Sequence, residues 1–294
     1  MSSPDSASSA SDGDPISPED TVGAADTADA ERTTGSRRGA RPTPKQPRPH
    51  RLRRVLGWVG GSVLALIIGA GAGFLIWANT GVMAAEPDPL AAVRADPEIE
   101  LVDEGTAWVM RPTDAADGTG LVFIPGAKVA PEAYAATFQA LVDDGTTVVI
   151  TKPPLNLAIL DLRPLSRFTE LVPEISDWAV GGHSLGGVKA CQLVGGAGVE
   201  RLILFASYCS NDISQTGYDV LSISGSADGL STPAKIEAAW PLLPADAAAF
   251  VLDGGSHASF GAYGPQAGDG TPTMPADEAH ARISSVVHAF LTAP

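Results

Sequence analysis

Between Arg54 and Glu86 the chain carries no charged side chain for 31 residues, and residues 55–78 are dense in Leu, Ile, Val, Ala, Gly, Phe and Trp. At about 1.5 Å per residue those positions make a helix of about 36 Å, enough to cross a hydrocarbon core of about 30 Å with some tilt. The pattern predicts one transmembrane helix over residues 55–80. Trp58 and Trp77 stand near its two ends, where indole rings favour the membrane interface. Val82-Met83-Ala84 followed by Ala85 has the small-residue character of a cleavage site. The leader before the span is long, however, and the apolar run exceeds the roughly 7–15 residues of a secretory signal core. An uncleaved, single-pass anchor is therefore expected. Gly57/Gly61 and Gly69/Gly73 have helix-packing spacing, which a glycine-rich helix produces readily.

The two flanks of this stretch differ in kind. Residues 1–54 are rich in Ser, Asp, Ala, Thr, Pro and Arg with few large apolar side chains, too few to offset chain entropy, so a disordered tail is expected. Its acids, from Asp5 to Glu31, all precede its bases, which run from Arg32 to Arg54 against the apolar segment. A basic cluster on that side predicts a cytoplasmic N-terminus and an extracytoplasmic C-terminal part. Of the 34 acidic and 19 basic residues, 8 and 9 precede residue 55, which leaves 26 and 10 from Glu86 onward, a net charge of -16 after the span. So acidic a surface repels phosphate backbones and argues against nucleic acid as a partner. Cys191 and Cys209 are the only cysteines, and an extracytoplasmic setting permits a disulfide between them or leaves two buried thiols.

Residues 81–101, with Pro87, Pro89 and Pro97 among acids, are expected to form a juxtamembrane linker with a short helix near residues 90–94. One folded domain is expected over residues 102–294. Strands are predicted at residues 106–111, 121–124, 146–151, 178–180, 202–206, 220–224 and 249–252. Helices are predicted at 131–142, within 157–175, and at 185–194, 233–242 and 277–291. Short, nearly all-apolar strands alternating with helices describe an α/β fold with a parallel sheet covered on both faces.

The strand at 178–180 runs into Gly181-Gly182-His183-Ser184-Leu185-Gly186-Gly187 and then into a helix. A Gly-x-Ser-x-Gly turn in that setting is a nucleophile elbow, with Ser184 as the candidate nucleophile. Gly182 and Gly186 are needed where strand and helix nearly touch. A serine hydroxyl needs an imidazole to take its proton and a carboxylate to orient that imidazole. Asp228 follows the strand at 220–224 and His257 follows the strand at 249–252, in the chain order nucleophile, acid, base. Asp212 is the runner-up acid, while Asp253 is read as structural. The backbone N–H of Leu185 is one expected oxyanion donor, and Gly126 lets the N–H of Ala127 or Lys128 supply the other. His183 is given no catalytic role, and His280 and His288 are read as helix-face residues. No metal-binding motif occurs, and neither metal nor cofactor is expected.

These segments, together with Pro125-Gly126-Ala127-Lys128-Val129, Tyr134, Lys152-Pro153-Pro154-Leu155-Asn156-Leu157-Ala158 and the run Gly254-Gly255-Ser256-His257-Ala258-Ser259-Phe260-Gly261-Ala262-Tyr263-Gly264-Pro265-Gln266, resemble the compact fold-5 subgroup of α/β-hydrolases. That subgroup is similar to the dienelactone hydrolases. The resemblance implies an α/β-hydrolase fold with a minimal cap, and serine in place of those enzymes' cysteine points toward esters. The resulting expectation is a membrane-anchored serine hydrolase acting on a small or lipid-like acyl compound through an acyl-enzyme. An acyltransferase of the cell envelope and a catalytically silent binding module are the rival expectations.

Overall fold

The computed structural model of the chain describes Gly39, residues 49–114 and residues 116–293. It divides into two units, residues 1–55 and residues 56–294. The tail expected over residues 1–54 lies outside the described residues except at Gly39 and residues 49–54. Helix α1 (Pro49–Asn79) begins before the expected boundary at residue 55, because the straight-chain side chains of Arg51, Leu52, Arg53 and Arg54 favour helix as much as the apolar run does. Residues 50–79 of α1 are long and apolar enough to cross a membrane. Its Leu, Ile and Val side chains are exposed, whereas Ala78 in the last turn is fully buried.

The stretch expected to be a juxtamembrane linker is bonded into the domain. Met83 bridges to Val129, its N–H donating to the Lys128 carbonyl at 2.7 Å and its carbonyl accepting from the Ala130 N–H at 2.8 Å. Glu86 donates its N–H to the Ala262 carbonyl at 2.8 Å. Helix α2 (Pro87–Ala95) buries Val93, and strand β1 (Ile99–Asp103) adds an edge to the sheet. The boundary expected at residue 102 therefore falls inside a strand.

The remaining strands are β2 (Ala107–Pro112), β3 (Thr119–Ile124), β4 (Thr147–Thr151), β5 (Asp177–His183), β6 (Arg201–Phe205), β7 (Asp219–Gly225) and β8 (Ala248–Leu252). Their order in one eight-stranded sheet is β1-β2-β4-β3-β5-β6-β7-β8. The pairs β1/β2 and β2/β4 are antiparallel and the rest are parallel. Side chains alternate between two cores with the two-residue period of a strand. Leu121, Phe123, Ala179, Ile203, Phe205 and Ile223 point into one, and Val122, Ile124, Val180, Leu202, Leu204 and Val220 into the other. Burial on both faces is why these strands read as unbroken apolar runs.

Helices cover each face. The first core is closed by α3 (Gln139–Asp143) and α7 (Ala276–Leu291), the second by α4 (Ser166–Thr169) and α5 (Leu185–Leu193), while α6 (Pro233–Ala239) follows β7. The helix expected over 131–142 is instead two 3₁₀ turns, Pro131–Tyr134 and Ala136–Phe138, leading into α3. Carbonyls there bond outside the segment: Ala133 accepts from the Ala262 N–H and Thr137 from the Ser284 hydroxyl. The helix expected within 157–175 shrinks to the turn Ala158–Leu160 and α4, cut by Pro164 and Pro173. Cys191 on α5 and Cys209 after β6 form a disulfide.

Candidate active site

The strand order turns around at β3. From β3 the chain passes to β4 on one side and then crosses to β5 on the other, so the loops leaving β3 and β5 part at their C-terminal ends. Ser184 lies at the end of β5, with φ 53° and ψ -123°. This positive-φ conformation is costly for a residue with a Cβ, and the surroundings enforce it. The Ser184 N–H donates to the Phe205 carbonyl at 3.0 Å, and the Ser207 hydroxyl donates to the Ser184 carbonyl at 2.6 Å. The flanking glycines are required by space. A Cβ on Gly182 would come within 2.4 Å of the Gly186 backbone, and one on Gly186 within 2.0 Å of the Ile124 carbonyl oxygen.

Asp228 and His257 come together at the ends of β7 and β8. His257 Nδ1 is 2.8 Å from Asp228 Oδ2, and both side chains are buried. Asp228 Oδ1 accepts the N–H groups of Leu230 at 2.7 Å and Ser231 at 2.8 Å. A carboxylate so engaged only accepts, which assigns the proton to His257 Nδ1 and the lone pair to Nε2. The His257 ring lies 4.4 Å from that of His183, the residue before Ser184. Among the described residues the Ser184 hydroxyl makes no hydrogen bond to His257, a contact that in such sites often closes around a substrate. The other two acids are occupied elsewhere: Asp212 caps the Ser214 N–H at 2.9 Å, and Asp253 accepts from the Ser226 hydroxyl at 3.0 Å.

Of the two residues expected to supply the second oxyanion donor, Lys128 has spent its N–H on the Asn156 carbonyl at 2.8 Å, which leaves Ala127. Leu185, as the first residue of α5, has an N–H without an intrahelical acceptor. Among the described residues six other than glycine have positive φ, and five of them, Lys128, Leu155, Asn156, Ser184 and Ala206, belong to this corner. No three His, Cys, Asp or Glu side chains among the described residues are grouped to hold a metal ion.

Against this geometry, the sequence profile of the alpha/beta hydrolase family matches residues 120–281. The chain belongs to that family. Among solved structures it is similar to the esterase domain of a Rhodothermus marinus protein, at 16% identity and TM-score 0.49, over 63% of this chain and 90% of that one. It is also similar to a propionate-bound thermophilic esterase from the planctomycete Thermogutta terrifontis, at 12% identity and TM-score 0.48, over 66% of this chain and 94% of that one. Comparison with curated proteins finds no match.

Two features of this alpha/beta hydrolase escaped the sequence reading. Asp269 binds the loops of Asp228 and His257 together. Its Oδ1 accepts the N–H groups of Gly229 at 3.1 Å, His257 at 3.0 Å and Gly270 at 2.7 Å, and its Oδ2 that of Ala258 at 2.8 Å. Burial alone would raise its pKa, but the N–H groups of Ala258, Gly229 and His257 outweigh that and hold the carboxyl below its ordinary value. His183 is the second. The Tyr134 hydroxyl accepts the Gly126 N–H at 3.0 Å and shares a hydrogen bond with His183 Nδ1 at 2.9 Å. His183 Nε2 faces the His257 backbone without closing a hydrogen bond, and burial, followed by the neighbouring His257, keeps the ring neutral well below the usual pKa of histidine. This buried chain links the turn at Gly126 to the residue before Ser184.

Proposed function

We propose that the chain is a membrane-anchored serine hydrolase that cleaves a carboxylic ester or similar acyl compound through an acyl-enzyme. The observation that carries the reading is a strained Ser184 at a strand-to-helix turn beside a buried, oriented Asp228–His257 pair. Ser184 Oγ attacks the acyl carbon while His257 Nε2 takes its proton, and the oxyanion is received by the N–H groups of Leu185 and Ala127. The intermediate collapses, the alcohol leaves with the proton from Nε2, and the acyl group remains on Ser184. Water, deprotonated by the same nitrogen, then attacks the acyl-enzyme, and the acid leaves as Nε2 returns that proton to Ser184 Oγ. Asp228 stays ionised throughout and stabilises the imidazolium.

Helix α1 supports the anchor, and the bases before it support a cytoplasmic N-terminus. The Cys191–Cys209 disulfide supports an oxidising compartment for the hydrolase domain. The test is labelling of the detergent-solubilised full chain with a fluorophosphonate. Wild type is expected to label and Ser184→Ala to remain unlabelled; labelling that survives the substitution refutes the assignment of Ser184. A wild type that neither labels nor turns over p-nitrophenyl esters would be a silent hydrolase fold.

A further inference from the structure

Two independent features of the rim of this site meet at Lys128, which lies over Trp77 of α1 and bonds Asn156 at the start of an exposed loop. The first is the attachment of α1. Its last turn packs on the domain through Ala78, and Lys128 Nζ lies 4.6 Å above the Trp77 ring. Four residues past Asn79, Met83 is hydrogen-bonded to Lys128 and Ala130, next to the turn that carries the Ala127 oxyanion donor. Four tether residues span at most about 14 Å, and one strand spacing adds about 5 Å. The oxyanion turn therefore lies within about 20 Å of the end of α1.

The second feature is an inverted loop. Ile159, Leu160 and Leu162 are 50%, 40% and 89% exposed, whereas Asp161 between them is only 6% exposed. Three large apolar side chains point outward and the carboxylate inward, the reverse of what water favours. The loop is held in this state. Asp161 Oδ1 accepts from Arg163 N at 3.1 Å and Nε at 2.8 Å, and Arg163 Nη2 donates to the Lys152 carbonyl at 2.8 Å. The turn Ala158–Leu160 packs on α5 behind Ser184, and Asn156, two residues before it, accepts the Lys128 N–H. Among the described residues outside α1, the exposed large apolar side chains are these three and Val251.

We propose that the mouth of the site opens onto the membrane that α1 spans, that Ile159, Leu160 and Leu162 enter its interface, and that the substrate is an acyl ester of an amphipathic lipid resident in that leaflet. This rests on the hydrolase and anchor readings above. The apolar loop has a lipid surface as its occupant because Lys128, which lies over Trp77 of α1, also donates to the Asn156 carbonyl at the start of the loop, and the tether keeps that rim within about 20 Å of the end of α1. A lipid ester then reaches Ser184 without crossing water.

The test uses the full chain reconstituted in phosphatidylcholine vesicles, a neutral surface that does not repel the acidic domain. Both native cysteines are in the disulfide, so Leu162→Cys accepts a single environment-sensitive fluorophore. Its emission is expected to be quenched at least twofold by lipids bearing a nitroxide near the headgroup. No quenching overturns the proposal, including the case in which the label is shielded by a second copy or another protein. Alongside it, Ile159→Ser/Leu160→Ser/Leu162→Ser is expected to turn over soluble p-nitrophenyl butyrate within twofold of wild type and a vesicle-embedded 4-methylumbelliferyl palmitate at least tenfold more slowly. Equal losses on both esters, or none, overturn it. Wild-type turnover of the soluble ester with an unquenched label refutes the membrane-facing mouth and leaves the hydrolase reading standing. No wild-type turnover of either ester removes both, and release of the chain by alkaline wash removes the anchor.

Discussion

Replacing Asp269 by asparagine tests whether one side chain holds the acid and base loops in register. The carboxylate accepts four backbone N–H groups, three of them from Gly229, His257 and Ala258. Asparagine keeps one acceptor oxygen, which serves Gly229, His257 and Gly270 best, and turns an NH₂ group against the Ala258 N–H. One charge-assisted hydrogen bond is lost, about 1.5–3 kcal/mol, and the others fall to neutral strength. Because Asp269 is half-buried, solvent softens these values, and about 2–3 kcal/mol is expected. Urea unfolding of the solubilised chain, followed by tryptophan fluorescence, measures it. The carboxyl sits below its ordinary 3.8, so its contribution is complete above about pH 5 and is lost as pH falls through the lower folded-state value. The gap between wild type and Asp269→Asn should therefore be full at about pH 7 and close as the pH falls below about 4. On p-nitrophenyl butyrate, kcat should fall about 10–100-fold, or about 1.4–2.7 kcal/mol, with KM within about threefold, because His257 is displaced while the rest of the site stays. An unchanged kcat, or a stability gap that ignores pH, refutes the reasoning.

Other substitutions probe separate parts of the fold. Gly186→Ala would drive a methyl group into the Ile124 and Pro125 carbonyl oxygens, backbone atoms that cannot swing aside, and should cost about 3 kcal/mol or more in a thermal melt. Cys191→Ser/Cys209→Ser opens a loop with a sequence separation of 18 and should lower stability by about 3 kcal/mol, as should reduction of the wild type. His280 is held neutral by burial to a pKa of about 4. The unfolded chain takes up its proton first, so stability is intact above about pH 6.5 and falls toward about pH 4 by about 1.4 kcal/mol per unit; His280→Gln should flatten that slope in denaturation at about pH 7, 5.5 and 4.5.

The sheet was legible in the sequence where burial is two-sided. Val220 and Leu221 face opposite cores, so β7 shows as an apolar run, and the same holds for β3, β5 and β6. Edge strand β1 escaped because only Ile99 is buried, and Glu100 and Asp103 give it the look of an acidic linker. Ser184, Asp228 and His257 could be singled out as candidates because a turn, a strand end and a glycine-rich loop each leave a local mark. Asp269 could not: within Gly268-Asp269-Gly270 it reads as a turn residue, and nothing nearby in sequence says that it reaches back 40 residues to Gly229. The Tyr134–His183 bond likewise joins segments 49 residues apart, and no local pattern announces it.

The placement of β1 decides where this protein can be cut. A fragment started at residue 102, the boundary that composition suggests, would split the outer strand and strip β2 of the neighbour on its outer side. Open backbone donors and acceptors on a bare sheet margin invite pairing with other molecules, so such a fragment should precipitate whatever the state of its catalytic groups. A usable excised form has to begin before Met83, which keeps the bridge to Val129 as well as the strand.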